Sequence, residues 1–219
     1  MFIERFINSP VPSNTYILVD EFSKECVIVD PGTNGSQEVI KYIVDNHLAP
    51  KYILLTHGDF DHVWGVKSLK ETFPAIQVVA SKEAARLMAI PQSYFSALYF
   101  GKPELYSIEK VDCIIDENGN QLVWQNNNIR FIQTPGHTTC SNLILFNDLL
   151  FSGDTILKDT KPFIQKRHGG DKEVFKNSVR WILDTFSDEI VVYPGHGEVF
   201  RFGEVREYYE KYLTTLIRG

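Results

Sequence analysis

Thr56-His57-Gly58-Asp59-Phe60-Asp61-His62 is the stretch on which the reading of this chain turns. It sets four side chains able to bind a metal, His57, Asp59, Asp61 and His62, within six residues of one another. The apolar run Tyr52-Ile53-Leu54-Leu55 just before it reads as a buried strand, and a helix is expected just after it. A short loop in that position can turn imidazoles and carboxylates toward one point while strand and helix hold it rigid, as a hydrolytic metal site requires.

Three later segments repeat the pattern. Ile129-Arg130-Phe131-Ile132 runs into Pro135-Gly136-His137. Residues 143–146 and 149–151 read as a hairpin over Asn147-Asp148 that runs into Ser152-Gly153-Asp154, and Ile190-Val191-Val192-Tyr193 runs into Pro194-Gly195-His196-Gly197. Each ends in a metal-binding residue beside a glycine, whose freedom at positive φ permits close backbone approach. His57, Asp59, Asp61, His62, His137, Asp154 and His196 are therefore seven candidate ligands, using four of the six histidines. Histidines scattered through a core or over a surface would share no such context.

The rest of the chain fits around these loops. Strands are expected over 15–19 and 26–29, flanking a turn at 20–25, and Asp30-Pro31-Gly32 ends the second. Val39, Ile40, Ile43 and Val44 have helical spacing, with Ser36 as the expected N-cap. A helix over 63–72 stopped by Pro74, a strand over 76–80 and a helix capped by Ser81 through Met88 complete a βαβα order. The aromatic segment 90–107 breaks the pattern and reads as core, as a lid over the pocket or as a contact between two copies in a homodimer. An Asn118-Gly119 turn and a last helix over 204–216 follow.

At 219 residues the chain is expected to form a single domain over 1–219, with an ordinary 43% apolar content. A net charge of -6 without a basic cluster argues against a nucleic-acid partner, and no window approaches a membrane helix, so a small-molecule substrate is expected. The start lacks the features of a secretory signal, which places the protein in the cytoplasm. Cys26, Cys113 and Cys140 form no CxxC pair and read as reduced thiols, Cys140 as a small buried residue.

Asn14-Thr15-Tyr16, Asp30-Pro31-Gly32, the 56–62 stretch, Pro135-Gly136-His137-Thr138, Phe151-Ser152-Gly153-Asp154-Thr155 and Tyr193-Pro194-Gly195-His196-Gly197 occur in order. Over nearly the whole chain this resembles the metallo-β-lactamase-fold hydrolases, closest in layout to compact glyoxalase II-like members. The resemblance implies an α/β fold, an αββα sandwich of two mixed sheets packed face to face with helices outside and two metals at one edge. It assigns His57, position 59 and His137 to the first metal, Asp61, His62 and His196 to the second, and Asp154 to a bridge. Asp61 and Asp154 are the implied catalytic residues of a hydrolase that cleaves a small thioester or ester with a metal-bridging hydroxide. Lys166 and His168, on a loop that lies near the active-site mouth in the family, are candidate substrate contacts.

Asp59 is the departure, because the usual motif has histidine there. Either Asp59 still binds the first metal or that site is weakened. Three aspartates against two divalent ions leave +1, which a hydroxide cancels, so two ions are electrostatically reasonable. The extra oxygen ligand favours harder ions, so zinc or iron is expected, with manganese a third candidate. Two other functions remain open: a di-iron or mono-iron oxidoreductase of the same fold, or a regulatory protein with a degenerate site. Only 22 residues follow Gly197, so the separate glutathione-binding helical domain of long glyoxalase II enzymes is expected to be absent.

Overall fold

β-Branched and aromatic runs form the strands, and glycine- and proline-marked segments form the turns between them. The computed structural model describes residues 1–90, 106–115, 122–166 and 169–215. The chain divides into two units, Met1–Asn120 and Gln121–Gly219. Each holds one mixed six-stranded sheet with helices, as the resemblance implies.

In the first unit, β1 (Phe2–Ile7), β2 (Asn14–Val19), β3 (Glu25–Val29), β4 (Ala49–Leu54), β5 (Gln77–Ser81) and β6 (Cys113–Ile115) lie side by side in chain order. β1 to β3 pair antiparallel and β3 to β6 parallel. Every residue of β2 is buried, as are four of the five in β3. That burial explains why these strands read as continuous apolar runs rather than as an alternating pattern.

The parallel connections carry the helices. α1 (Gln37–Asp45) buries Val39 and Ile43, one turn apart. Its end is a Schellman turn: Leu48 N–H donates to Ile43 O and His47 N–H to Val44 O, with His47 exposed at φ 53. Its start corrects the expectation for Ser36, which sits at φ 45 and gives no side-chain cap. The Ser36 hydroxyl donates to Thr33 O instead, at 3.1 Å, so the loop uses the group that would have capped the helix.

The helix expected over 63–72 is also corrected, into α2 (Phe60–Val63) and α3 (Val66–Thr72). Gly65 interrupts it by donating its N–H to Pro31 O at 2.7 Å, and a Cβ there would lie 2.0 Å from Ser36 Oγ. α4 (Lys82–Met88) has the expected cap, Ser81 Oγ accepting from Ala84 N–H at 3.3 Å. The Asn118-Gly119 turn and residues 91–105 of the aromatic segment lie outside the described residues.

In the second unit, β7 (Leu122–Trp124), β8 (Asn127–Gln133), β9 (Asn142–Phe146), β10 (Leu149–Gly153), β11 (Val191–Pro194) and β12 (Phe200–Arg201) are again neighbours in chain order. The β9–β10 hairpin turns at Asn147, φ 53, as expected. β10 and β11 are parallel, joined by a crossover that contains α5 (Lys172–Thr185). Phe175, Val179 and Ile182 recur at helical spacing on α5 and enter a core with Leu143, Leu150 and Val192, to which α6 (Gly203–Thr215) adds Val205, Tyr209 and Leu213. Asp171 caps α5 by accepting from Glu173 and Val174 N–H.

One ion-paired group ties the first sheet to its helices. Asp112 Oδ2 accepts from Lys70 Nζ at 2.8 Å and from Val78 N–H at 2.9 Å, and Lys110 Nζ is 3.3 Å from Oδ1. Burial pushes its carboxyl up, but these three donors together hold it below its ordinary 3.8. A depressed carboxyl stabilises the fold above its unfolded pKa, and that contribution is lost as pH falls from 3.8 through the lowered value. Asp112→Asn should therefore cost about 1–3 kcal/mol at neutral pH in urea unfolding, with the gap to wild type closing below that window.

Candidate metal centre

The candidate ligands of the first unit are built around Asp30, which follows β3, is 2% exposed and stands at φ 50. Its Oδ1 accepts the Thr56 N–H at 2.8 Å, and its Oδ2 accepts the Thr56 hydroxyl at 2.5 Å. Thr56 has then used its one proton, so its oxygen accepts from His57 Nδ1–H at 2.9 Å. Asp30 Oδ2 also lies 3.1 Å from His62 Nδ1, where a carboxylate can only be the acceptor. One buried carboxylate thus assigns the same tautomer to both imidazoles and leaves each Nε2 as a lone-pair donor. Asp30, His57 and His62 bring ligand atoms within 4.8 Å of one another, but Asp30 faces the Nδ1 side and orients the histidines.

Asp59 and Asp61 face the Nε2 sides. Asp59 Oδ2 is 3.6 Å from His57 Nε2, Asp61 Oδ2 is 3.7 Å from His62 Nε2, and the two imidazole centroids are 4.2 Å apart. Two ligands bound to one tetrahedral ion at about 2.0–2.1 Å would be roughly 3.3–3.4 Å apart. The spacing and the mixed N/O donor set therefore fit a divalent cation. Asp59 stands where an N-cap would be, yet its side chain makes no cap bond to α2. Both carboxylates are nearly buried, at 8% and 9% exposure.

The loop is gripped from behind as well. Ser13 Oγ donates to Asp61 O, and Asn8 Nδ2 donates to Ser13 Oγ at 2.9 Å. Thr15 Oγ1 donates to Asp30 O at 2.8 Å. A Cβ on Gly32 would lie 1.6 Å from Asp61 O, which explains the glycine of Asp30-Pro31-Gly32.

In the second unit, His137, Asp154 and His196 come together on the loops after β8, β10 and β11. Asp154 Oδ2 is 3.7 Å from His137 Nε2 and 3.3 Å from His196 Nε2, so one carboxylate oxygen faces both imidazoles. His137 Nδ1 donates to Phe163 O at 2.6 Å, which again turns Nε2 into the free-electron-pair side. Gly195 N–H donates to Gly153 O at 2.8 Å, joining the His196 and Asp154 loops. Gly136, at φ 135, leaves room for α5: a Cβ there would meet Phe175 Cα at 2.2 Å.

Cys140 is buried beside Thr138, as expected. Lys166 is exposed, while Arg167 and His168 lie outside the described residues. The orienting groups Asp30, Thr56, Ser13 and Phe163 are not among the candidate ligands. Asp30-Pro31-Gly32 is the sequence signal that points to the first of them.

Residues 8–196 match the profile of the metallo-beta-lactamase superfamily. The chain belongs to that superfamily. A probable metallo-hydrolase of Streptococcus pyogenes serotype M6 is 29% identical over 203 residues, 90% of this chain and 84% of that protein. The hydroxyacylglutathione hydrolase of Enterobacter sp. strain 638 is 32% identical over 153 residues, covering 68% of this chain but 50% of the enzyme. The crystal structure of the B3 metallo-beta-lactamase BLEG-1 superposes with a TM-score of 0.84 at 27% identity, covering 97% of this chain and all of the other. The fold is the metallo-β-lactamase α/β sandwich, and at the level of the superfamily the chain is a metal-dependent hydrolase. Among the described residues no helix is long and apolar enough to cross a membrane.

Because Asp30 orients two candidate ligand imidazoles, Asp30→Asn puts an amide donor where an acceptor is needed. Chelator competition on the folded variant should show metal affinity reduced about 10–100-fold.

Proposed function

We propose that this chain hydrolyses a small thioester or ester, with His57, Asp59, Asp61, His62, His137, Asp154 and His196 as the ligands of two divalent metal ions. The observation that carries this reading is Asp154, whose Oδ2 faces the Nε2 atoms of both His137 and His196 at 3.7 and 3.3 Å. A carboxylate oxygen turned to two ligand imidazoles at once is suited to bridging two ions. The likeness to a hydroxyacylglutathione hydrolase supports a thioester over other substrates of the superfamily.

When bound, two such ions lower the pKa of a shared water toward neutrality and offset the charge of the oxyanion formed on attack. The chain's own residues do the rest. Asp61, held through its carbonyl by Ser13, orients the attacking water and takes its proton. That proton passes to the sulfur or oxygen leaving group as its bond to the acyl carbon breaks, so the products are a carboxylic acid and a thiol or alcohol. Lys166 and Arg167 are the cations suited to an anionic end of the substrate, and His168 is a further candidate substrate contact.

Asp59 as a ligand makes the donor set harder, which favours iron or manganese alongside zinc. The same carboxylate favours a second reading, an iron-dependent oxidoreductase, which oxygen uptake by the iron-loaded protein would reveal.

Protein loaded in turn with zinc, iron and manganese should be assayed against thioesters, esters, lactones and phosphodiesters. The reading expects thioester or ester turnover at least about tenfold above the other classes, and its loss by three or more orders of magnitude in Asp154→Ala. Inertness of every metal-loaded form, or activity retained by Asp154→Ala, would refute it.

A further inference from the structure

Tyr209 of α6 is fully buried in the core of the second unit. Its hydroxyl makes two hydrogen bonds to one residue, accepting from Leu157 N–H at 2.7 Å and donating to Leu157 O at 2.9 Å. Phenylalanine would fill the same volume without a polar group to desolvate, so the core alone gives no reason for the hydroxyl. Its reason lies at Leu157, three residues after Asp154.

The turn from Ser152 to Leu157 is anchored to the sheet at its near end: Ser152 Oγ donates to Ile156 O at 2.7 Å, Thr155 N–H to Ser152 O at 3.1 Å, and Gly195 N–H to Gly153 O at 2.8 Å. Tyr209 anchors the far end to α6. Lys158 Nζ, 2.7 Å from Glu204 Oε2 of the same helix, adds a surface tie one residue on. Burial holds the phenol well above its ordinary range, so it stays a neutral donor at any working pH.

We propose that Tyr209 is a positioning residue for Asp154: by clamping both backbone groups of Leu157 it sets the carboxylate against His137 and His196 before any metal arrives. This rests on the reading of Asp154 as a metal ligand. Without the clamp, part of the binding energy of the metal would be spent on ordering the turn, and affinity would fall by that amount.

Tyr209→Phe keeps the ring and removes only the clamp, and Tyr212→Phe, a half-buried neighbour on the same helix, is the control. Zinc affinity is measured by chelator competition at a temperature where circular dichroism shows each protein folded. Tyr209→Phe should bind roughly tenfold or more weakly, with kcat reduced and KM little changed, while Tyr212→Phe matches wild type. A purely structural role would lower the melting temperature and leave affinity within about threefold of wild type, which would overturn the proposal. Failure of wild type itself to bind zinc would refute the reading of the centre instead. If Tyr209→Phe does not fold, amide exchange of metal-free wild type decides. Leu157 N–H exchanging as slowly as the amides of β10 supports the clamp, and protection that appears only on metal loading overturns it.

Discussion

The carboxylate of Asp30 is the constraint on which the candidate metal ligands of the first unit depend. Through Thr56 and directly, it fixes the orientation and tautomer of His57 and His62, and it also accepts the Thr56 amide just after β4. Its cost is a buried carboxylate on a backbone at φ 50, a conformation that aspartate tolerates better than most residues. Around it the buried hydroxyls of Ser13 and Thr15 hold the carbonyls of Asp61 and Asp30, and the amide of Asn8 donates to Ser13, so a connected polar layer backs the ligand loop. In the second unit backbone groups serve the same purpose, with Phe163 O on His137 and Gly153 O receiving the His196 loop.

Much of this was legible in the sequence because strand-then-loop punctuation is a local signal. β2, β3, β4, β9, β10 and β11 all appear where apolar runs announce them, and candidate metal ligands follow β4, β10 and β11. Local signals fail where a group outside the element takes over a residue. Ser36 looks like a cap, but Thr33 O takes its hydroxyl, and the helix expected over 63–72 breaks because Gly65 bonds to Pro31. α5 is missing from the sequence expectations although Phe175, Val179 and Ile182 recur at helical spacing, and the core around Leu143 and Val192 is what those residues face. The orienting groups were hidden for the same reason: nothing local to Tyr209 or Phe163 says that a metal-ligand loop lies within hydrogen-bonding reach.

Asp59 is where the chain departs from the common motif of its superfamily, and the surroundings show how a carboxylate is accommodated there. It is nearly buried, makes no cap to α2 and faces His57 Nε2 at 3.6 Å. A buried carboxylate so placed is costly unless a cation or a strong donor compensates it. Compensation by a metal ion would turn that cost into binding energy and would harden the site toward iron or manganese.

The proposed ligand set for two metal ions includes Asp59 of the first unit and Asp154 of the second. Anomalous diffraction from crystals of metal-loaded protein, collected at the zinc, iron and manganese edges, tests it most directly. The account predicts two peaks about 3.5–4 Å apart, one of them within about 2.2 Å of an Asp59 carboxylate oxygen and both in contact with Asp154. A single peak, or two peaks with Asp59 turned away from both, would contradict it.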